Sequence, residues 1–266
     1  MQIDVISDVV CPWCYIGKRN LESALAAWRK DHPGEEQPVV RWHPYQLNPQ
    51  LPGGGVPRAE YVANKFGGPQ RANEVYARVS NAGARAGIAF AFDRIAVQPN
   101  TLHAHRLIHH AGTGDKQDAM AEALFQAYFL EGADLSSDDT LADIAVRAGF
   151  ERNEISAYLA SDEDKALIED QDQHARSIGV EGVPFFIFNR RYAVSGAQPP
   201  EAILDRLLPM DRPDDRPRRA LLSTWPETYS GVPDELTIAR LGRRVDEIVT
   251  TTAVPSGSSV TIELDG

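Results

Sequence analysis

The sequence predicts an α/β fold interrupted by an all-helical stretch. Three observations carry that expectation. Residues 2–7 (QIDVIS) alternate like a short strand, a helical pattern follows, and residues 39–47 (VVRWHPYQL) form a second apolar run, giving a strand–helix–strand unit. From about 58 to 160 the apolar spacing is helical throughout. Beyond that stretch, Gly182-Val-Pro-Phe-Phe-Ile-Phe-Asn189 returns to a compact apolar strand.

Each element has a local reason. Leu21, Leu25 and Trp28 recur at helical spacing and give the first helix its apolar face, and Asp31-His-Pro-Gly34 ends it. The crossover to the second strand should be right-handed. Residues 48–57 (NPQLPGGGVP) are punctuation, including Gly53-Gly-Gly55, which lacks any phosphate-loop pattern. Within 58–160, Ala104, Leu107, Ile108 and Ala111 form one stripe. Met120, Ala123, Leu124, Ala127 and Tyr128 form a second, and Leu141, Ile144, Ala145 and Ala148 a third, stopped by Gly149. Ile155, Tyr158 and Leu159 suggest a short fourth helix. Ser161-Asp-Glu-Asp164 looks like the start of a helix that runs to about Ile178. The strand after it can turn at Asn189-Arg190 and return over Arg191–Ser195, and a helix over Pro199–Leu208 closes the series.

Removing the helical stretch leaves βαβ, then α, ββ, α. That is the order of a thioredoxin fold with an all-helical domain inserted in its middle. The expected organisation is the first half of that fold over 1–57, the inserted domain over 58–160, the second half over 161–208, and a linker with a C-terminal extension over 209–266. The linker (209–219, PMDRPDDRPRR) is charged and proline-rich. In the extension, Ile238, Leu241, Val245 and Ile248 suggest a helix, and Val249–Val254 and Val260–Leu264 flank a plausible hairpin turn.

Of the 266 residues, 42% are apolar, enough for a sizeable core. The net charge of −11 argues against general binding to nucleic acid or anionic membranes. No run approaches the roughly 18 apolar residues of a membrane helix. The opening Met1-Gln-Ile-Asp-Val-Ile6 has no basic n-region and no long apolar stretch, so the expected location is the cytoplasm. In a reducing compartment, a close cysteine pair is more often catalytic or metal-binding than a structural disulfide.

The sequence contains two cysteines, Cys11 and Cys14, in Ser7-Asp-Val-Val-Cys-Pro-Trp-Cys-Tyr-Ile-Gly17. They sit where a helix begins, beside unpaired backbone N–H groups and the positive end of the helix dipole. Both effects favour a thiolate, the attacking species in disulfide exchange. One helical turn lets the second sulfur reach the first. Pro12 can open the helix, because its missing N–H costs nothing there. Trp13 offers a flat apolar surface beside the sulfurs. A Cys-x-x-Cys pair near a βαβ pattern is a known redox signature. Two alternatives stand beside it: half of a zinc site, or two inert small apolar residues.

A proline entering a buried strand is awkward unless it comes first or follows a special peptide bond. Val183–Pro184 is therefore the candidate cis bond, the bland alternative being a trans proline that opens the strand. His103, His105, His109 and His110 crowd one helix, yet no third ligand accompanies the His105/His109 pair. Solvated or edge-of-core histidines are the expectation. Asn100-Thr101 suits a helix cap. Asp8 could relay a proton or only hydrogen-bond a turn.

Cys-Pro-Trp-Cys near the N-terminus, together with GVPFFIFN…YAVSGAQPPE, resembles the DsbA-like thioredoxin family, and within it the cytoplasmic FrnE-type branch, over roughly residues 1–208. The resemblance implies Cys11 as an exposed nucleophile and Cys14 as the resolving thiol. It also implies Pro184 as a cis-proline facing them, with Val183 offering backbone hydrogen bonds to a substrate strand, and places the histidine-rich helix near the groove above the cysteines. The implied activity is dithiol–disulfide oxidoreduction, as a reductase or isomerase of protein or small-molecule disulfides. The cofactor is the cysteine pair itself, with no metal, recharged by a low-molecular-weight thiol or a thioredoxin-type reductant. The related 2-hydroxychromene-2-carboxylate isomerases and kappa-class glutathione transferases give a second expectation, thiol-dependent isomerisation or transfer. Their pattern has serine where Cys11 stands. A non-catalytic binding or biosynthetic accessory role is the third. Residues 209–266 depart from the family pattern, and the sequence assigns neither an oligomeric state nor a role to them.

Overall fold

The structure is a computed structural model that describes residues 1–112 and 116–207. Strand β1 (Gln2–Ser7) leads into helix α1 (Pro12–Asp31), and strand β2 (Val39–Pro44) follows. A two-residue strand β3 (Val56–Pro57) precedes helices α2 (Arg58–Phe66) and α3 (Pro69–Arg85), and its partner β4 (Val97–Gln98) precedes α4 (Leu102–Gly112) and α5 (Gln117–Gln126). One π-helical turn (Ala127–Glu131) follows α5, then α6 (Asp138–Arg147), α7 (Arg152–Ala160) and α8 (Lys165–Ser177). The series closes with β5 (Phe185–Phe188), β6 (Tyr192–Ser195) and α9 (Pro200–Leu207).

The main sheet has the order β2-β1-β5-β6. β1 and β2 are parallel, with Val5 opposite Trp42, while β5 runs antiparallel to β1 and β6 antiparallel to β5. This is the thioredoxin arrangement, with α2–α7 lying between β2 and α8 in the chain. As an inner strand, β1 is buried on both faces: Ile3, Val5 and Ile6 are all at most 1% exposed. Asn189 and Arg190 take positive φ (51° and 56°) and form the tight β5–β6 turn.

The apolar stripes of the sequence become the core. Leu21, Leu25 and Trp28 of α1 are buried, as are Leu107, Leu124, Leu141 and Leu159 of the helical segment, and one continuous cluster joins them to Val5, Phe186 and Phe188 of the sheet. Tyr15 of α1 stacks on Phe125 of α5, centroids 5.1 Å apart. Beside it, the buried Lys18 reaches Glu22, Asp118 (3.0 Å) and Glu122 (3.2 Å), and the Tyr15 hydroxyl donates to Glu122. Burial pushes the Tyr15 phenol up to about 12, so it stays a donor at neutral pH. At the outer edge of β2, the Gln117 side chain accepts from the Trp42 N–H (2.8 Å) and donates to its C=O (3.1 Å), as a neighbouring strand would.

Several boundaries differ from the sequence expectation. β2 stops at Pro44 rather than 47: Tyr45 N–H still donates to the Ser7 carbonyl, but the amides after it turn to side chains, Gln46 N–H to Asp172 and Leu47 N–H to Asp8. α8 starts at Lys165 rather than 161, since Asp164 holds a left-handed φ of 60°. The small β3–β4 pair lies at the edge of a stretch expected to be punctuation. The helix and hairpin expected beyond 208 fall outside the described residues. Among the described residues, no helix is long and apolar enough to cross a membrane.

Candidate active site

The site is built where β1 ends and α1 begins. Cys11 is the N-cap of α1, in extended conformation, with Pro12 as the first helical residue. The Cys11 side chain makes no capping hydrogen bond to the helix, which leaves its sulfur for another partner. Its N–H donates to the Asp8 carbonyl at 3.0 Å, and the Cys14 N–H donates to the Cys11 carbonyl at 3.0 Å. This first tight turn brings the second sulfur under the first. Both are free thiols.

The loop before β5 faces them. The Val183–Pro184 bond is cis, and the Cys11 thiol donates to the Val183 carbonyl at 3.5 Å. The loop is held from both sides: the Pro184 carbonyl accepts the Gly196 N–H at 2.8 Å, and Pro184 packs directly on Gly17 of α1. The Cys11–Cys14 pair and the Val183–Pro184 pair, far apart in the chain, thus meet where the inner strand β1 ends and the inner strand β5 begins. Pro12 is half-buried at the helix start, and Trp13 is 41% exposed beside the sulfurs.

One expectation needs correction. Cys11 is not an exposed nucleophile: it is 5% exposed, because the Val183 loop lies over it. Cys14 is deeper still, at 1%. Burial pushes the Cys14 thiol well up, and the hydrogen bond and charge of Cys11 act in the same sense. The Ser7 hydroxyl and the Asp8 backbone pull it only part of the way back. The two cysteines are therefore unequal, one at the mouth of the helix and one held as a thiol behind it.

A second correction concerns the histidines. His103 pairs with Asp138 (2.6 Å), while His109 and His110 lie 3.9 Å and 3.5 Å from Asp164 and Glu154. His105, however, is neither solvated nor at the core edge. It is 3% exposed, and its Nε2 lies 3.5 Å from the carboxylate of Asp8, which is wholly buried. Asp8 accepts from Leu47 N–H (2.7 Å) and Val10 N–H (3.4 Å), so it does hold turns together. Sequence reasoning passed over Ser7 and underrated His105. The signals for His105 were its place on the helix wheel beside Ala104 and Ile108 and the resemblance that puts its helix near the groove above the cysteines. Among the described residues, no group of three or more His, Cys, Asp or Glu is arranged to hold a metal ion.

Residues 2–208 match the DSBA-like thioredoxin domain. The chain belongs to the DsbA-like thioredoxin family. Its structure resembles a probable DsbA oxidoreductase, SCO1869, from Streptomyces coelicolor, with a TM-score of 0.69 and 29% identity, covering 88% of this chain and 94% of that one. The cytosolic disulfide reductase DsbM of Pseudomonas aeruginosa, solved with GSH, shares the fold at a TM-score of 0.56 and 17% identity, covering 78% and 97% of the two chains. An uncharacterized Bacillus subtilis (strain 168) protein, YwbO, is 23% identical over 188 residues, 70% of this chain and 86% of its own length. This DsbA-like chain thus has a family, a fold and a cysteine pair placed at the fold's helix-opening junction.

Proposed function

We propose that this DsbA-like protein is a dithiol–disulfide oxidoreductase, working as a reductase or isomerase, in which Cys11 attacks and Cys14 resolves. The observation that supports this is the inequality of the two thiols. Cys11 caps α1 against the Val183 loop, whereas Cys14 lies buried behind it with its thiol held protonated.

The chemistry runs in two displacements. The Cys11 thiolate attacks one sulfur of a substrate disulfide, the substrate S–S bond breaks, and the departing thiolate takes a proton from water. Cys11 is now in a mixed disulfide and carries no charge. One of the influences that held Cys14 protonated is thereby removed. Cys14 loses its proton and attacks the Cys11 sulfur, the mixed disulfide breaks, and the second substrate thiol leaves. The Cys11–Cys14 disulfide that remains needs two electrons, which a low-molecular-weight thiol or a thioredoxin-type dithiol supplies. No other cofactor is required.

The substrate would lie across Trp13 and the half-buried Val183, whose carbonyl becomes available once Cys11 no longer donates to it. Protein or small-molecule disulfides both suit such a site. A net charge of −11 favours neither nucleic acid nor anionic membrane as a partner. We place this activity in the cytoplasm, where a dithiol can be kept reduced.

The test is a pair of single substitutions assayed on an oxidised protein substrate with glutathione as reductant. Cys11→Ser should abolish turnover, and Cys14→Ser should accumulate a mixed disulfide visible by mass. Equal turnover in Cys11→Ser and the wild type would refute the assignment.

A further inference from the structure

We propose that His105, carried by the helical segment, is a positioning residue for the cysteine pair: its imidazole offsets the buried Asp8 carboxylate and so spares a thiolate at Cys11 an uncompensated negative neighbour. This rests on the thiol chemistry proposed above.

Asp8 is the residue that addresses both cysteines through its backbone. Its carbonyl accepts the Cys11 N–H at 3.0 Å, and its backbone hydrogen bond favours a charged Cys14. The side chain of the same residue is wholly buried. Two backbone amides, Leu47 and Val10, donate to its carboxylate, but neutral donors bring no positive charge. Ionising Cys11 sends one proton to solvent and puts a second negative charge into the same turn. Two like charges in a low-dielectric setting oppose each other strongly.

A cation beside the carboxylate would supply a compensating charge. Arg176 of α8 feels the Asp8 charge, yet its guanidinium is committed to Asp172 (3.0 and 3.1 Å), the Tyr45 hydroxyl (3.0 Å) and the Gln46 carbonyl. Tyr128, from the π-helical turn, lies in the same field, but burial holds its phenol protonated and neutral. On α4 itself, His103, His109 and His110 turn to Asp138, Asp164 and Glu154. His105 remains. It is 3% exposed, its Nε2 stands 3.5 Å from Asp8 Oδ1, and that nitrogen has no hydrogen-bond partner. A buried ring nitrogen left unpaired next to a buried carboxylate is costly unless it can carry a proton toward it. With His105 protonated, the turn holds one net negative charge after Cys11 ionises instead of two.

The test uses the full-length reduced protein. The rate of Cys11 alkylation by iodoacetamide is followed from pH 5 to 9, with the modified peptide assigned by mass. His105→Gln should displace the profile to higher pH and slow alkylation at pH 6.5 by about tenfold, with the rate at pH 9 unchanged. Adding Asp8→Asn should restore the profile. An unchanged profile in His105→Gln, or the same loss at every pH, overturns the proposal. If the variants do not fold, the wild type decides: the His105 ring resonances should titrate at higher pH in the reduced protein than in the Cys11–Cys14 disulfide form, and coincident curves overturn it. Alkylation reads ionisation and not turnover. A wild type without disulfide-exchange activity would refute the proposed function and still leave the role of His105 to be judged.

Discussion

Gly17 shows how finely the site is fitted at the scale of one residue. It lies on the second turn of α1, where a Cβ would stand 2.9 Å from Pro184 Cγ and 3.1 Å from Phe186 Cζ. Glycine inside a helix costs about 1 kcal/mol relative to alanine, so helix propensity alone would favour a substitution. Steric overlap with a proline whose carbonyl is tied to the Gly196 N–H works against it, at about 1–3 kcal/mol for an overpacked site. We expect Gly17→Ala to lower the melting temperature and to slow disulfide exchange, because the Val183–Pro184 loop must move off the cysteines. A variant as stable and as active as the wild type would show that the loop does not need this contact. The residues at the site were unevenly visible in the sequence. The cysteine spacing and the proline at a strand entrance announce themselves, since each is a local pattern. Burial of Cys11 does not, because the group that covers it lies 172 positions away. His105 is hidden for the same reason: its partner comes from another element.

Between elements, the contact of α1 with α5 stands out. Lys18 is 2% exposed and faces three carboxylates, with Glu122 the most buried of them. Burial alone would raise the Glu122 carboxyl, but Lys18 and Arg19 outweigh it and hold it below the usual carboxylate range. Burial alone would lower the Lys18 ammonium, and Asp118, Glu22 and Glu122 outweigh that in turn. A carboxyl depressed by folding adds stability above its unfolded pKa of about 4.3, and that stability is lost as the pH falls through the lower folded value. A raised lysine adds stability below about 10.4 and loses it as the pH rises through its higher folded value. The cluster should therefore hold fully from about pH 5 to about pH 10. Lys18→Met should cost about 3 kcal/mol at pH 7, and the gap to wild type in thermal unfolding should narrow from pH 6 to pH 3. A gap that stays constant over that range would remove the cluster as its source. The helices themselves were legible from apolar spacing, and their stripes are the buried faces. The strand end at Pro44 and the late start of α8 were not, because the first is decided by the Asp172 side chain capturing the Gln46 amide and the second by the left-handed backbone of Asp164.

Taken whole, the molecule joins sheet and helical segment through a single apolar cluster running from Ile3 and Phe186 to Leu141 and Leu159. The Lys18–Glu122 ion pair and the Asp8–His105 pair lie alongside it, between the same two parts of the chain. We expect one cooperative denaturant transition, with tryptophan fluorescence (Trp28 and Trp42 are both buried) coincident with far-UV circular dichroism, which the helices dominate. Two separated transitions would mean that the helical segment unfolds on its own. The order of strands was legible because thioredoxin topology follows from βαβ, α, ββ, α and a right-handed crossover. The merging of the two cores was not, since it depends on pairs such as Tyr15 and Phe125 that no local pattern links. One further consequence concerns how copies of this chain meet. The Gln117 amide occupies both backbone groups of Trp42 on the outside of β2, while the opposite boundary of the sheet is the four-residue β6. Fibrous stacking of sheets requires two open boundaries per molecule, one to give and one to receive. Among the described residues, the main sheet offers such pairing only the short boundary at β6, so growth there would rest on four residues per copy.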